Sequence, residues 1–230
     1  MRFIYILIAI AAFAASSLAQ TVLFEDDFEG SIRPEWQAWQ GSLGDFRVVA
    51  GFAQKGNYSV STLRQIDKGI YVDLGSAQSD TTYSGWFYDN GAQPYEFLLS
   101  VSAIYQSGTS ANMLSIGVDT RQSITRYSLF AGHSSHDLSL MRSNGWHKVD
   151  LYAFGNETRV YIDDQFQESV SFANHWRYVY LYANGWEGQQ PSEPGYWDNI
   201  KVYEGAPVPE PATIGLMAFS LAFIARRRRR

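Results

Sequence analysis

The sequence predicts an all-β protein, a two-sheet antiparallel sandwich flanked by an N-terminal signal helix and a C-terminal apolar helix. Three observations carry this. Short strand-like runs bounded by turn residues recur between residues 20 and 205. No long stretch outside the two ends has helical periodicity. Aromatic residues make up 16% of the chain, with seven Trp and fifteen Tyr, and flat rings pack well on pleated surfaces.

In chain order, Arg2 and the apolar run Phe3 to Ala15 lead to Ser17-Leu18-Ala19, a small-x-small site that places cleavage between Ala19 and Gln20. The apolar run is short for a bilayer span, which needs about 20 residues. Strands then follow at Phe46–Val49, Gly69–Leu74, Tyr83–Tyr88, Glu96–Tyr105 and Met113–Val118. Asp89-Asn90-Gly91 contains the strongest hairpin dipeptide. Gly145–Tyr152 and Thr158–Asp164 read as two strands joined by a turn at Phe154-Gly155-Asn156-Glu157. Alternation puts Trp146, Lys148, Asp150 and Tyr152 on one face of the first and His147, Val149 and Leu151 on the other. Tyr178-Val179-Tyr180-Leu181-Tyr182 alternates aromatic with aliphatic residues. No repeat or low-complexity linker divides residues 20–205, so they form one domain; residues 206–230 are a tether and a terminal signal.

Residues 20–211 hold 12 basic and 23 acidic residues, a balance of 12 − 23 = −11. Such a segment repels phosphate backbones, so nucleic acid is excluded as a partner. The chain has no Cys, which rules out disulfides, thiolate metal sites and cysteine nucleophiles.

At the C-terminus, Pro209-Glu210-Pro211 precedes the apolar run Ala212 to Ala225 and then Arg226, Arg227, Arg228, Arg229 and Arg230. An apolar run closed by a basic cluster reads as a membrane-topology signal that keeps the terminus on the cytoplasmic side. The prolines keep the motif extended and non-helical. This tripartite tail resembles the PEP-CTERM sorting signal of exosortase substrates. The resemblance implies cleavage near Pro-Glu-Pro by a membrane exosortase, after export by the secretion machinery and a transient inner-membrane insertion.

The Trp146-His147-x-Val149 strand and the Tyr161-Ile162-Asp163-Asp164 hairpin resemble those of laminin-G-like, or concanavalin A-like, jelly rolls. Gly195-Tyr196-Trp197-Asp198-Asn199-Ile200 is similar to their last strand, and Glu25-Asp26-Asp27-Phe28-Glu29 to their first. The expected architecture is therefore a jelly roll whose first and last strands are neighbours.

Chemistry is sparse. A glycosidase needs two facing carboxyls roughly 5–10 Å apart; the Glu-x-Asp-x-Glu alternation of Glu25, Asp27 and Glu29 falls in the segment that resembles the domain's first strand. Asp163-Asp164 with Glu168 reads as hairpin-turn chemistry. His133 and His136 fall in a Gly- and Ser-rich stretch that reads as a loop, and His147 reads as a packed strand residue. Gly-x-Ser-x-Gly is absent, leaving a serine nucleophile without support. One structural calcium ion, which takes six to eight oxygens, is the cofactor expectation. Asp198 is its first ligand and Asp27 its second, because the resemblance places them at the domain's two adjoining ends.

For sugars, exposed rings offer a flat face while amides and carboxylates satisfy hydroxyls. Asn184, Trp186 and Glu187 in Tyr182–Gln190 form the first such candidate; Trp36 and Trp39 beside Gln37 and Gln40 form the second. The functional expectation is an exported, non-enzymatic carbohydrate- or exopolysaccharide-binding module at the outer surface or in the extracellular matrix. The alternatives are a structural matrix component without a discrete ligand and, less favoured, a glycoside hydrolase.

Overall fold

The period-two patterns become strands throughout the computed structural model, which describes residues 20–39, 42–62, 68–91, 96–103, 113–132, 134–171, 175–184 and 194–207. In chain order the first strands are β1 (Val22–Asp26), β2 (Gln37–Trp39), β3 (Phe46–Ala50), β4 (Tyr58–Thr62), β5 (Lys68–Gln78), β6 (Thr81–Asp89), β7 (Glu96–Ala103) and β8 (Met113–Val118). There follow β9 (Arg126–Ala131), β10 (Ser134–Met141), β11 (Gly145–Phe154), β12 (Glu157–Ile162), β13 (Gln165–Val170), β14 (Trp176–Asn184) and β15 (Tyr196–Glu204). The described residues contain no α-helix. Both helices expected at the ends fall outside them, as do Ala19, Pro209, Glu210, Pro211 and Arg226 to Arg230. Val22–Ala206 forms one compact unit.

Two antiparallel sheets build the domain. Sheet A runs β13-β12-β11-β6-β15-β4-β3, with β1 also paired to β15; sheet B runs β10-β9-β8-β7-β14-β5-β2. The first and last strands are neighbours, with Val22 opposite Tyr203 and Asp26 opposite Ile200. Between the sheets, Phe87, Val149, Ile162 and Trp197 from A and Ile70, Ile116, Leu129 and Leu181 from B are fully buried. Each such side chain contributes about 1.5–3 kcal/mol by leaving water.

Three local expectations change. Asn90-Gly91 does not close a hairpin: β6 pairs with β11 and β15 in sheet A, whereas β7 lies in sheet B. Gly91 takes φ +70° and its N–H donates to Asp89 Oδ1, so the dipeptide serves a crossover between sheets. Second, His136 lies on strand β10 rather than in a loop, and its ring meets Glu168 of β13 at 2.9 Å. Third, the outward face of β11 is as buried as its inward face. Lys148 is 5% exposed and Asp150 2%, because Lys148 Nζ sits 3.2 Å from both Asp150 and Asp164. Asp163 and Asp164 take φ +50° and +61° and form the β12–β13 turn.

Candidate functional site

Period two sets the outward face of sheet B. Val179 and Leu181 of β14, with Ile70 and Val72 of β5, point into the core. Tyr178, Tyr180 and Tyr182, with Gly69, Tyr71 and Asp73, therefore point away from it. Strand β2 adds Gln37 opposite Tyr71 and Trp39 opposite Gly69.

The rings touch one another. Trp39 meets Tyr182 edge-on with centroids 4.9 Å apart and Tyr180 at 6.2 Å. Tyr71 stacks on Tyr180 at 5.3 Å, and Tyr178 lies 5.8 Å from Tyr71. Gly69 makes room for this. A Cβ there would sit 3.0 Å from Tyr182 Cδ2, 3.2 Å from the Leu181 carbonyl and 3.4 Å from Trp39 Cε3. Tyr71, Tyr178, Tyr180 and Trp39 remain half-exposed, so the rings form a surface and not a second core.

Polar groups edge this surface. The Tyr71 hydroxyl donates to Gln37 Oε1 at 2.7 Å. Arg177 grips Asp73 through two N–H groups, at 2.5 and 2.7 Å, and its guanidinium lies 5.1 Å from the Tyr178 ring centre. That grip holds the Asp73 carboxyl below the usual range. Burial, with Tyr71, Tyr178 and Asp73 nearby, pushes the Tyr180 phenol up to about 12. Asp73 also lines a groove with Val22, Leu23, Glu25, Arg33 and Glu35. There Glu35 is likewise held low, by its own backbone N–H and by Arg33 2.9 Å away.

The residues singled out from the sequence fare unequally. Trp36 is 1% exposed and donates from Nε1 to Asp26 at 2.8 Å, so it is a core residue. Trp39 and Gln37 belong to the ring surface. Trp186, Glu187 and Gln40 lie outside the described residues; Asn184 ends β14, opposite Glu96 of β7. Sequence inspection did not offer the β14 tyrosines as a ligand surface, although their alternation was the available signal.

Asp198 is fully buried on β15. Its Oδ2 accepts the N–H groups of Gln54 (2.7 Å) and Lys55 (3.1 Å), and its Oδ1 that of Asn199 (2.7 Å). Burial, with a smaller push from the Glu29 charge, raises its carboxyl to about 6. Asp27 is exposed and accepts the Glu29 N–H within its own turn. The carboxylate whose charge acts on Asp198 is Glu29, in the loop after β1, whose Oε1 accepts the N–H groups of Asn57 and Tyr58. Among the described residues, no three His, Cys, Asp or Glu are disposed to hold a metal. Backbone carbonyls and water would have to complete a calcium shell on Asp198 and Glu29.

A Ser-His-Asp succession does occur, at Ser143, His147 and Asp163. His147 Nδ1 lies 2.7 Å from Asp163 Oδ2, but Nε2 lies 2.7 Å from the Ser143 carbonyl and 3.4 Å from its hydroxyl. Both ring nitrogens face acceptors, an arrangement that favours the doubly protonated ring and raises its pKa. Nε2 is thus directed at the Ser143 carbonyl rather than at its hydroxyl, which is not the contact of a nucleophile with its general base.

Comparison with known proteins adds two findings. Residues 207–230 match the PEP-CTERM protein-sorting motif, which marks an exported protein processed at the membrane. No curated protein sequence matches the chain. Among solved structures, 81% of the chain superposes on 95% of an endo-β-1,3-glucanase from Pyrococcus furiosus, with a TM-score of 0.60 at 12% identity. A glycoside hydrolase family 16 endo-glucanase from Bacteroides ovatus matches 79% of this chain and 100% of its own, at 0.54 and 11%. Domain 4 of an extracellular arabinanase from Geobacillus stearothermophilus, solved in complex with arabinotriose, matches 80% of this chain and 87% of its own, at 0.51 and 16%. The chain thus joins a concanavalin A-like jelly roll to a C-terminal PEP-CTERM sorting motif.

Proposed function

We propose that this is an exported, exosortase-processed, non-enzymatic module that binds carbohydrate through the outward face of sheet B and acts at the cell surface or in an exopolysaccharide matrix. The observation that carries the proposal is the half-exposed ring surface of Trp39, Tyr71, Tyr178 and Tyr180, edged by Gln37, Asp73 and Arg177. Rings present flat apolar faces to the C–H side of a pyranose, while hydroxyl, amide and carboxylate groups meet its hydroxyls. The arabinotriose-bound neighbour supports a sugar ligand for this fold.

Beside the rings, a binding role is favoured over hydrolysis by the state of the two groove carboxyls, Asp73 and Glu35. A glycosidase's general acid needs a raised pKa. In the groove beside the rings, Asp73 and Glu35 are both shifted down, each held by a guanidinium. They favour the ionised form that a proton donor must avoid. A calcium ion at Asp198, with Glu29 as its second carboxylate, would serve this module as a structural clamp between β15 and the loop after β1.

The test is a polysaccharide pull-down with the mature exported protein, wild type against Tyr180→Ala and Trp39→Ala. Each ring contributes about 1 kcal/mol beyond its buried area, so each variant should bind several-fold to tenfold more weakly. No binding to any glycan by a folded sample would overturn the proposal in favour of a structural matrix role. Intact-mass measurement of the released protein should show Arg226 to Arg230 missing; their presence would refute exosortase processing.

A further inference from the structure

We infer that the ring surface of sheet B takes uncharged polysaccharides and turns away uronate- or sulfate-bearing ones, and that Asp73 sets this preference by occupying Arg177. The inference rests on the carbohydrate reading of that face. It adds the ligand's charge class and the residue that decides it.

Arg177 is the cation that β14 brings to the rings, 5.1 Å from the centre of Tyr178. Unmasked, a guanidinium at the edge of an aromatic surface is the group best shaped to hold a carboxylate or sulfate, because its planar fork matches two oxygens at once. Here the Nε/Nη2 edge of the fork is already taken and its charge offset by a carboxylate. Nε and Nη2 each donate to a different oxygen of Asp73, at 2.5 and 2.7 Å, across the β5–β14 pairing. Asp73 is itself fixed from a third side, since Oδ1 also accepts the Gly75 N–H at 2.8 Å. An anionic sugar would have to displace a carboxylate that is tied to the backbone, or approach the remaining edge of a guanidinium whose charge that carboxylate already offsets.

The remaining groups point the same way. Beside Asp73 and Arg177, the polar groups that the ring cluster itself presents are phenol hydroxyls and the Gln37 amide. The Tyr180 phenol is held near 12 and stays neutral in any physiological medium. Around the face, residues 20–211 carry a balance of 12 − 23 = −11, which repels a polyanion at long range when salt is low. A neutral glycan meets neither obstacle. Tyr178 to Tyr182 spans four residues of strand, or about 13 Å, enough for a short run of sugar rings.

The experiment uses the mature exported protein and two soluble polymers, a neutral β-glucan and polygalacturonate, in affinity electrophoresis at low and high salt. Wild type should be retarded by the β-glucan with little dependence on salt and should ignore polygalacturonate. Asp73→Asn frees the guanidinium and should gain polygalacturonate binding by roughly tenfold or more, the worth of a charge-assisted bidentate contact. The gain should fade as salt rises. Asp73→Asn combined with Arg177→Gln should lose it, which ties the effect to the guanidinium; melting curves on all three proteins report folding. Wild-type binding of polygalacturonate equal to or tighter than β-glucan would overturn the inference, and so would a folded Asp73→Asn variant that gains nothing. Failure of every protein to bind either polymer would instead refute the carbohydrate reading beneath it.

Discussion

Asp198 offers a quantitative test of how the sheet A face is held together. Its carboxyl is fully buried and ionises at about 6 in the folded chain, against 3.8 for an ordinary aspartate. Burial is the main cause, outweighing three backbone N–H donors. A group whose folded pKa is raised contributes stability below its unfolded pKa and loses that contribution as pH rises through the folded value. Here the window runs from 3.8 to about 6. At 1.36 kcal/mol per tenfold change, the loss across it is about 3 kcal/mol. Asp198→Asn removes the charge but keeps one carbonyl for Gln54 and Lys55. It forfeits the bond to the Asn199 N–H, a penalty that does not vary with pH. The stability difference between wild type and variant should therefore move by about 3 kcal/mol toward the variant as pH rises from about 4 to 7.5. In melting temperature this is about 6–12 °C for a domain of this size. Urea unfolding at matched pH, without divalent ions, measures it. A difference that stays constant within about 1 kcal/mol across that range would refute the desolvation argument. Excess calcium adds a second arm. If the ion sits on the ionised carboxylate, it should stabilise wild type at neutral pH and leave the variant unmoved. No shift in either would sink the calcium proposal.

The side chain of Arg142 is 6% exposed and holds the fully buried Asp89 through two N–H groups, at 2.8 and 2.9 Å. Arg142→Ala should lower stability by about 3–5 kcal/mol in urea unfolding, because it strands a buried carboxylate; a loss below about 1 kcal/mol would mean that water reaches Asp89. For His147, burial pulls the pKa down, but the Asp163 carboxylate, the Ser143 carbonyl and Asp89 together raise it above the usual 6.5. Its contribution is therefore present below 6.5 and lost as pH rises through the folded value. The destabilisation caused by His147→Gln should accordingly be largest in mild acid and shrink on the alkaline side, a trend that thermal melts can show or exclude. Gly69→Ala places a methyl 3.0 Å from Tyr182 and 3.2 Å from the Leu181 carbonyl. It should cost about 1–3 kcal/mol of stability and shift the rings, weakening glycan retention; unchanged melting and unchanged retention together would show that the surface is more compliant than its spacing implies.

Several sequence-level patterns survive into the structure because they depend only on periodicity. Strand β8 begins and ends at Met113 and Val118, as its apolar run indicated. Val160 and Ile162 are fully buried while Arg159 and Tyr161 are half-exposed, as alternation requires. Asn90-Gly91 was misread because a turn dipeptide specifies how the chain bends. It does not specify which strand, in which sheet, comes next. His136 was misread because Gly132 and two serines mask a strand whose partner is the edge of β9.

By itself, then, the sequence determined the sorting motif, the all-β class and the alternation of β14. Each is local: a tripartite order of residues, a composition, a period of two. Tertiary structure alone decided which alternating strand faces solvent beside which other. It buried Trp36 against Asp26 yet left Trp39, three residues on, against Tyr180 and Tyr182 of a strand some 140 positions away. It chose Glu29 over Asp27 as the neighbour of Asp198, and closed Arg177 onto Asp73 across 104 positions. Such pairings follow from strand order and register, which are set by long-range packing of the two sheets and leave no mark within any single segment.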